Sequence, residues 1–161
     1  MRNQSNRPVD WMEEFVQRHE NKIYRTAIAV MGNKADAEDI MQDVFLKVLE
    51  GKAPQFLSVE YETAWLTKVT VNQCRSRLRS HWRKKNEPLL DIYPAQDNEQ
   101  QDLLETVITL PSKYRIAIYL FYYRGYSTKE IAEITKQKET TVRSTLTRAR
   151  HKLKDYLEEQ T

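Results

Sequence analysis

The chain has 161 residues, 40% hydrophobic and 30% charged, with a formal net charge of +3. Those proportions fit one ordinary domain or two small ones, strongly helical, and exclude a disordered chain. One cysteine rules out a disulfide framework and a cysteine-based zinc site; three glycines leave no phosphate-cradling loop, and three scattered histidines assemble no metal site, so no cofactor is expected.

The first helical period runs over about 11–31, where Phe15, Ile23, Ala27 and Val30 recur at helical spacing. Asp10 is its expected N-cap, with Glu13 three residues on. Gly32-Asn33 breaks the pattern, and ADAEDIMQDVFLKVLE forms a second helix closed by Gly51 as a C′ glycine. A loop from about Lys52 to Thr63 leads into WLTKVTVNQCRSRLRSHWRKK, a third long helix. Next comes NEPLLDIYPAQDNEQQ, with Pro88 and Pro94 and no helical period, which reads as a linker over residues 87–101. Beyond it a short helix is expected near 101–109, and a further one begins at Pro111 and stops at Gly125. Ser127 with Glu130 forms a capping box for a short helix to about Thr135. A tight polar turn then leads to a helix from Glu139 or Thr140 to about Glu158. Short helix, turn and longer basic helix make a helix-turn-helix pattern. The expected fold is all-α, with two small helical domains, residues 1–86 and 102–161, joined by the acidic linker.

Charge is sorted along the chain. From Thr63 to Asn86 every ionisable charge is positive, and from Glu87 to Ser112 every one is negative. From Lys136 to Lys154 Glu139 is the only acid. On the third helix Trp65, Lys68, Asn72, Arg75, Ser76, Arg79 and Arg83 share one side, while Val71, Cys74, Leu78 and Trp82 form an apolar stripe. Cations neutralise phosphates, amides and hydroxyls reach base edges, and aromatics stack on unpaired bases, so this face suits partly single-stranded nucleic acid. On the last helix Val142, Leu146, Ala149, Leu153 and Leu157 face inward. Thr140, Arg143, Ser144, Thr147, Arg148 and His151 form an outer face fit for a major groove. The second helix carries Asp36, Asp39, Asp43 and Glu50 on one side, with Gln42 at its edge; this is either a solvated face or a docking surface for a basic protein. The run YRIAIYLFYYRGY reads as core and turn packing, and Cys74 as a small buried hydrophobe.

In this order, DAEDIMQDVFLKV, WLTKVTVNQCRSRLRSHWRKK and LPSKYRIAIYLFYYRGYSTKEIAEITKQKETTVRSTLTRARHKL resemble the bacterial ECF (extracytoplasmic function) sigma factors. These are compact two-domain specificity subunits of RNA polymerase. The likeness spans about residues 11–158. It implies an N-terminal domain similar to sigma region 2 and a C-terminal one similar to region 4. It implies that Asp39, Gln42 and Asp43 contact the clamp helices of core RNA polymerase, which favours the docking reading of the acidic stripe. It further implies that the loop at about Lys52 to Thr63 and the third helix, through Asn72, Arg75 and Ser76, open the −10 element and hold a flipped base. Arg143, Ser144, Thr147 and Arg148 match positions that contact the −35 element, and the linker would thread toward the polymerase active centre. A partner anti-sigma factor, often membrane-bound, is implied as well. Two departures stand out: the turn KQKETT lacks the family's common Pro and Gly, and Thr145 replaces a common arginine.

The expectation is thus a non-enzymatic transcription initiation factor, binding core polymerase and promoter DNA. No segment of membrane-spanning length or apolar leader is seen, so no membrane insertion and a cytoplasmic location are expected. The alternative is a polymerase-independent helix-turn-helix regulator, which would need neither Asp39 nor Asp43; an RNA-binding antiterminator would leave the helix-turn-helix unexplained.

Overall fold

The structure, a computed structural model, describes residues 9–84 and 107–159; the side chains of residues 9–10, 81–84 and 156–157 lie outside the description. The expected linker at 87–101 and most of the expected short helix near 101–109 also fall outside it. Among the described residues there are helices and no strand.

The first helix, α1, covers Val9–Met31 and so already includes Asp10, which the sequence suggested as its cap. Gly32 ends it at φ 79°, and Asn33 then caps α2, Lys34–Leu49, its side chain accepting from the Asp36 amide at 2.9 Å. At the far end Gly51 (φ 75°) donates to Val48 and Lys52 donates to Lys47, the paired bonds of a Schellman motif, as a C′ glycine predicts. The following loop is shorter than expected. Ser58 already caps the next turn by accepting from the Tyr61 amide at 3.1 Å, so α3 runs Val59–Lys84.

These three helices share one apolar core. Phe15, Ile23, Ala27 and Val30 of α1, Ile40, Val44 and Val48 of α2, and Leu66, Val71 and Cys74 of α3 are buried. An aromatic cluster closes one end, with Phe15 at 5.0 Å from Trp11 and 6.5 Å from Phe56, and Phe56 at 5.6 Å from Trp65. The start of α3 is tied to α1 by the buried Glu62 carboxylate, which accepts from Arg18 at 3.0 Å and bonds the His19 ring.

In the C-terminal part, Pro111 is the N-cap of α4, Ser112–Ile118, rather than a first-turn residue, and a π-helical turn continues it through Tyr119–Tyr123 to Gly125. Helix α5 is Thr128–Thr135, opened by the expected capping box: Ser127 accepts from the Glu130 amide and Glu130 from the Ser127 amide, both at 3.1 Å. Helix α6 spans Glu139–Glu159. Ile131 and Ala132 of α5 and Val142, Leu146 and Ala149 of α6 pack with Tyr114, Ile116 and Leu120.

The two parts lie against each other, α1 on α4 and α3 on α5. The Arg124 guanidinium donates to Thr67 Oγ1 of α3 at 3.0 Å and to Thr26 Oγ1 of α1 at 3.4 Å. Buried Arg115 presses on the C-terminal end of α1: a Cβ on Gly32 would sit 3.2 Å from its Nη1.

Burial pushes the Cys74 thiol from 9.0 up to about 12. The folded state therefore holds a proton that the unfolded chain sheds near pH 9, so stability is intact below pH 9 and lost as pH rises from there toward 12. The slope is about 1.4 kcal/mol per pH unit. Urea unfolding at pH 8 and pH 10.5 should show a wild-type loss about 2 kcal/mol larger than that of Cys74→Val. An equal loss in both proteins would sink this assignment.

Candidate nucleic-acid interface

Burying Leu66, Val71 and Cys74 fixes the rotation of α3 and so decides which of its polar residues face out. Lys68, Ser76 and Arg79 are exposed, and Asn72 and Arg75 are half-buried. The backbone of Arg83 lies within α3, and its side chain is outside the description. Trp65 is placed differently from a free stacking platform: it is half-buried in the aromatic cluster, edge-on to Phe56 at 62°. Arg75 is also engaged, donating from Nη1 to the Thr135 carbonyl at the end of α5.

Arg77, one of the cations of the basic run, turns toward α2 instead of solvent. Its Nη2 pairs with Asp39 at 2.9 Å and its Nε with Asp36 at 3.2 Å. Asp39 stays half exposed, Gln42 is exposed, and Asp43 lies 3.4 Å from Gln73 Nε2. From Asp39 the steps to Gln42 and to Asp43, from each of these to Leu46, and from Leu46 to Leu49 are all of three or four residues, which puts them on one side of α2. Leu46 is 50% exposed and Leu49 56%, so the acidic stripe is joined by uncovered apolar surface.

On α6 the division holds from Thr140 to His151, while Leu153 is half-buried and the Leu157 side chain lies outside the description. Thr140, Arg143, Ser144, Thr147, Arg148 and His151 are exposed, opposite buried Val142, Leu146 and Ala149. Arg143 pairs with Glu139 at 2.8 Å, and Glu139 also accepts from Thr128 at 2.9 Å, which ties the start of α6 to the start of α5. Arg150 was not foreseen. Its Nε donates to the Tyr122 hydroxyl, and its guanidinium lies 5.5 Å from the Phe121 ring centre and 5.6 Å from that of Tyr122. Its only sequence signal was its place next to the outer face.

Among the described residues no group of His, Cys, Asp and Glu is arranged to hold a metal ion. No described helix is long and apolar enough to cross a membrane.

Two family models match: sigma-70 region 2 over residues 15–84 and sigma-70 region 4 over residues 100–153. The ECF RNA polymerase sigma factor SigM of Mycobacterium tuberculosis is 32% identical over 151 residues, which cover 88% of this chain and 74% of that protein. The chain belongs to the ECF sigma factor family. SigE of Mycolicibacterium smegmatis, another ECF RNA polymerase sigma factor, is 33% identical over 90% of this sigma factor, which spans 61% of its length. Two solved structures share the fold. One is the sigma factor RpoE in complex with the anti-sigma factor NepR from Bartonella quintana (TM-score 0.73, 24% identity, 93% of this chain and 98% of that one). The other is CnrH in complex with the cytosolic domain of CnrY (TM-score 0.63, 21% identity, 98% and 94%).

The turn in which this sigma factor lacks Pro and Gly shows how it manages without them. Lys136 adopts the left-handed conformation (φ 55°, ψ 43°), and the Gln137 amide donates to the Ala132 carbonyl. A non-glycine residue there carries roughly 1–2 kcal/mol of strain, partly offset because glycine loses more freedom on folding. Lys136→Gly should therefore raise the melting temperature by about 1–3 °C in a calorimetric scan, without altering helix content. A fall of similar size would show that the lysine side chain contributes something the glycine cannot.

Proposed function

We propose that this sigma factor recruits core RNA polymerase to promoters and has no chemistry of its own. Residues 1–86 form a docking and −10 unit, 87–101 a linker, and 102–161 a −35 unit. The observation that carries this reading is the outer row of α6, Thr140 to Arg148. It is exposed on a helix-turn-helix whose inward Val142, Leu146 and Ala149 are buried, and its side chains make only local contacts: the Arg143–Glu139 ion pair and hydrogen bonds from Ser144 and Thr147 to carbonyls of the same helix. Hydroxyls and guanidinium groups presented this way can reach base edges and phosphates in a major groove. Lys68, Asn72, Arg75, Ser76 and Arg79 of α3, with Arg83 beyond them, take the unpaired −10 strand. Their contacts offset the few kcal/mol that extracting a base costs. Trp65 braces the loop before α3 through Phe56.

Core polymerase docks on α2 through Asp39, Gln42 and Asp43, with Leu46 and Leu49 supplying apolar contact. Arg77 holds Asp39 in place without removing it from solvent. The similar folds of RpoE, bound by the anti-sigma factor NepR, and of CnrH, bound by the cytosolic domain of CnrY, support an anti-sigma partner for this chain, acting in the cytoplasm.

Asp39→Arg together with Asp43→Arg should weaken binding to purified core polymerase by about 10–100-fold, the range expected for reversing interfacial charges, while circular dichroism stays unchanged. Tight duplex binding by the protein alone, with no affinity for core, would replace this reading by a free-standing regulator. In the holoenzyme, Arg148→Ala should cost about 1–3 kcal/mol at one −35 position and relax preference there. A uniform loss over all −35 sequences would instead make Arg148 a phosphate contact.

A further inference from the structure

We propose that Arg150 and Tyr122 form a clamp for one phosphate of the DNA duplex, at the edge of the groove that α6 enters. This rests on the assignment of α6 made above. Arg150 lies three residues after Thr147 and four before Lys154, so it follows the edge of the outer row nearest the π-helical turn. That turn, Tyr119–Tyr123, is a rare geometry that often marks functional sites. It presents Phe121 and Tyr122 side by side, their ring centres 5.0 Å apart and their planes at 76°. Tyr122 is 53% exposed, so its ring is not there to fill the core.

The two aromatics fix the Arg150 guanidinium without neutralising it. Among the described residues its partners are the Tyr122 hydroxyl and the two ring faces, which orient a cation and leave its charge intact. Other cations along the row differ: Arg143 pairs with Glu139 at 2.8 Å, and Lys154 with Glu158 at 4.0 Å. Because Nε is the atom bonded to Tyr122, Nη1 and Nη2 remain as the fork that takes two oxygens of a phosphate. The Tyr122 hydroxyl accepts from Arg150 and so keeps its own proton to donate to the same phosphate. A guanidinium already ordered loses less freedom on binding than a mobile one. Phosphate contacts carry no sequence information, so the clamp sets the register of α6 in its groove and leaves base reading to the outer row.

The test uses holoenzyme assembled from the full chain and core polymerase, with a duplex that the unsubstituted holoenzyme selects from a random-sequence pool. Arg150→Ala should weaken binding about tenfold at low salt, the weight of one charged hydrogen bond, and lower the slope of log affinity against log salt by about one. Arg150→Lys should keep the slope yet recover only part of the affinity, since an ammonium offers no fork. Tyr122→Phe keeps the ring and should keep the slope, at a cost of about threefold in affinity. Ethylation of single phosphates should reveal one position that weakens the unsubstituted protein and no longer matters to Arg150→Ala. An unchanged slope and ethylation pattern in Arg150→Ala would overturn the proposal and leave Arg150 a brace between α6 and the π-helical turn. A loss confined to one base pair would overturn it in favour of a base contact, and weaker assembly with core polymerase in favour of a protein contact. Full affinity in Tyr122→Phe would overturn the two-residue clamp. Arg148→Ala separates this from the reading beneath it. If Arg148→Ala alone alters duplex binding, only the clamp falls; if neither variant does, the assignment of α6 falls with it.

Discussion

Everything in the N-terminal part depends on how α3 is rotated about its own axis. Burying an aliphatic side chain is worth about 1.5–3 kcal/mol, whereas a partly exposed ion pair is worth about 1 kcal/mol or less. Leu66, Val71 and Cys74 are all but fully buried, so their stripe fixes the rotation and the charges follow from it. Lys68, Ser76 and Arg79 are left facing outward. Arg77, a quarter-turn away, is carried to α2 and meets Asp36 and Asp39. Its pairing with the acidic helix is thus a consequence of the core, and it leaves the acidic face of α2 charged and held in one geometry.

The C-terminal part uses local hydrogen bonds for the same end. The capping box at Ser127 and Glu130 sets where α5 begins. Lys136 in its left-handed turn sets the angle at which the chain leaves α5, and Glu139, bonded to Thr128, fixes where α6 begins relative to it. Three short-range devices thereby aim α6, and buried Val142, Leu146 and Ala149 hold it there. The exposed outer row of α6 takes no part in this packing.

That difference explains what could be read from the sequence. Signals confined to a few residues were legible: the Schellman glycine at Gly51, the capping box at Ser127, the alternation of α6, the apolar stripe of α3. The boundaries that went astray had weaker local cues. Ser58 starts α3 seven residues before Trp65, and Asn33, read only as a breaker, caps α2. The remaining differences come from partners distant in sequence. Trp65 meets Phe56 because the loop folds back, Arg77 meets acids 38 and 41 residues earlier, and Arg75 meets a carbonyl 60 residues later. No periodicity carries such pairings, so a stretch read as one basic face and one apolar stripe proves to have three different surroundings.

The contacts between the two parts also bear on selectivity. A nearly neutral chain that carries two basic faces would adhere to any duplex, since each phosphate it neutralises releases counterions whatever the sequence. Placing Arg75 on the Thr135 carbonyl engages one cation of those faces within the chain itself. Each cation so engaged lowers the salt-dependent slope of DNA binding by about one ion. On the proposed assignment, docking, duplex reading and strand reading fall on three separate helices, α2, α6 and α3, and of the three faces it is that of α3 that has a cation bonded to the other part of the chain.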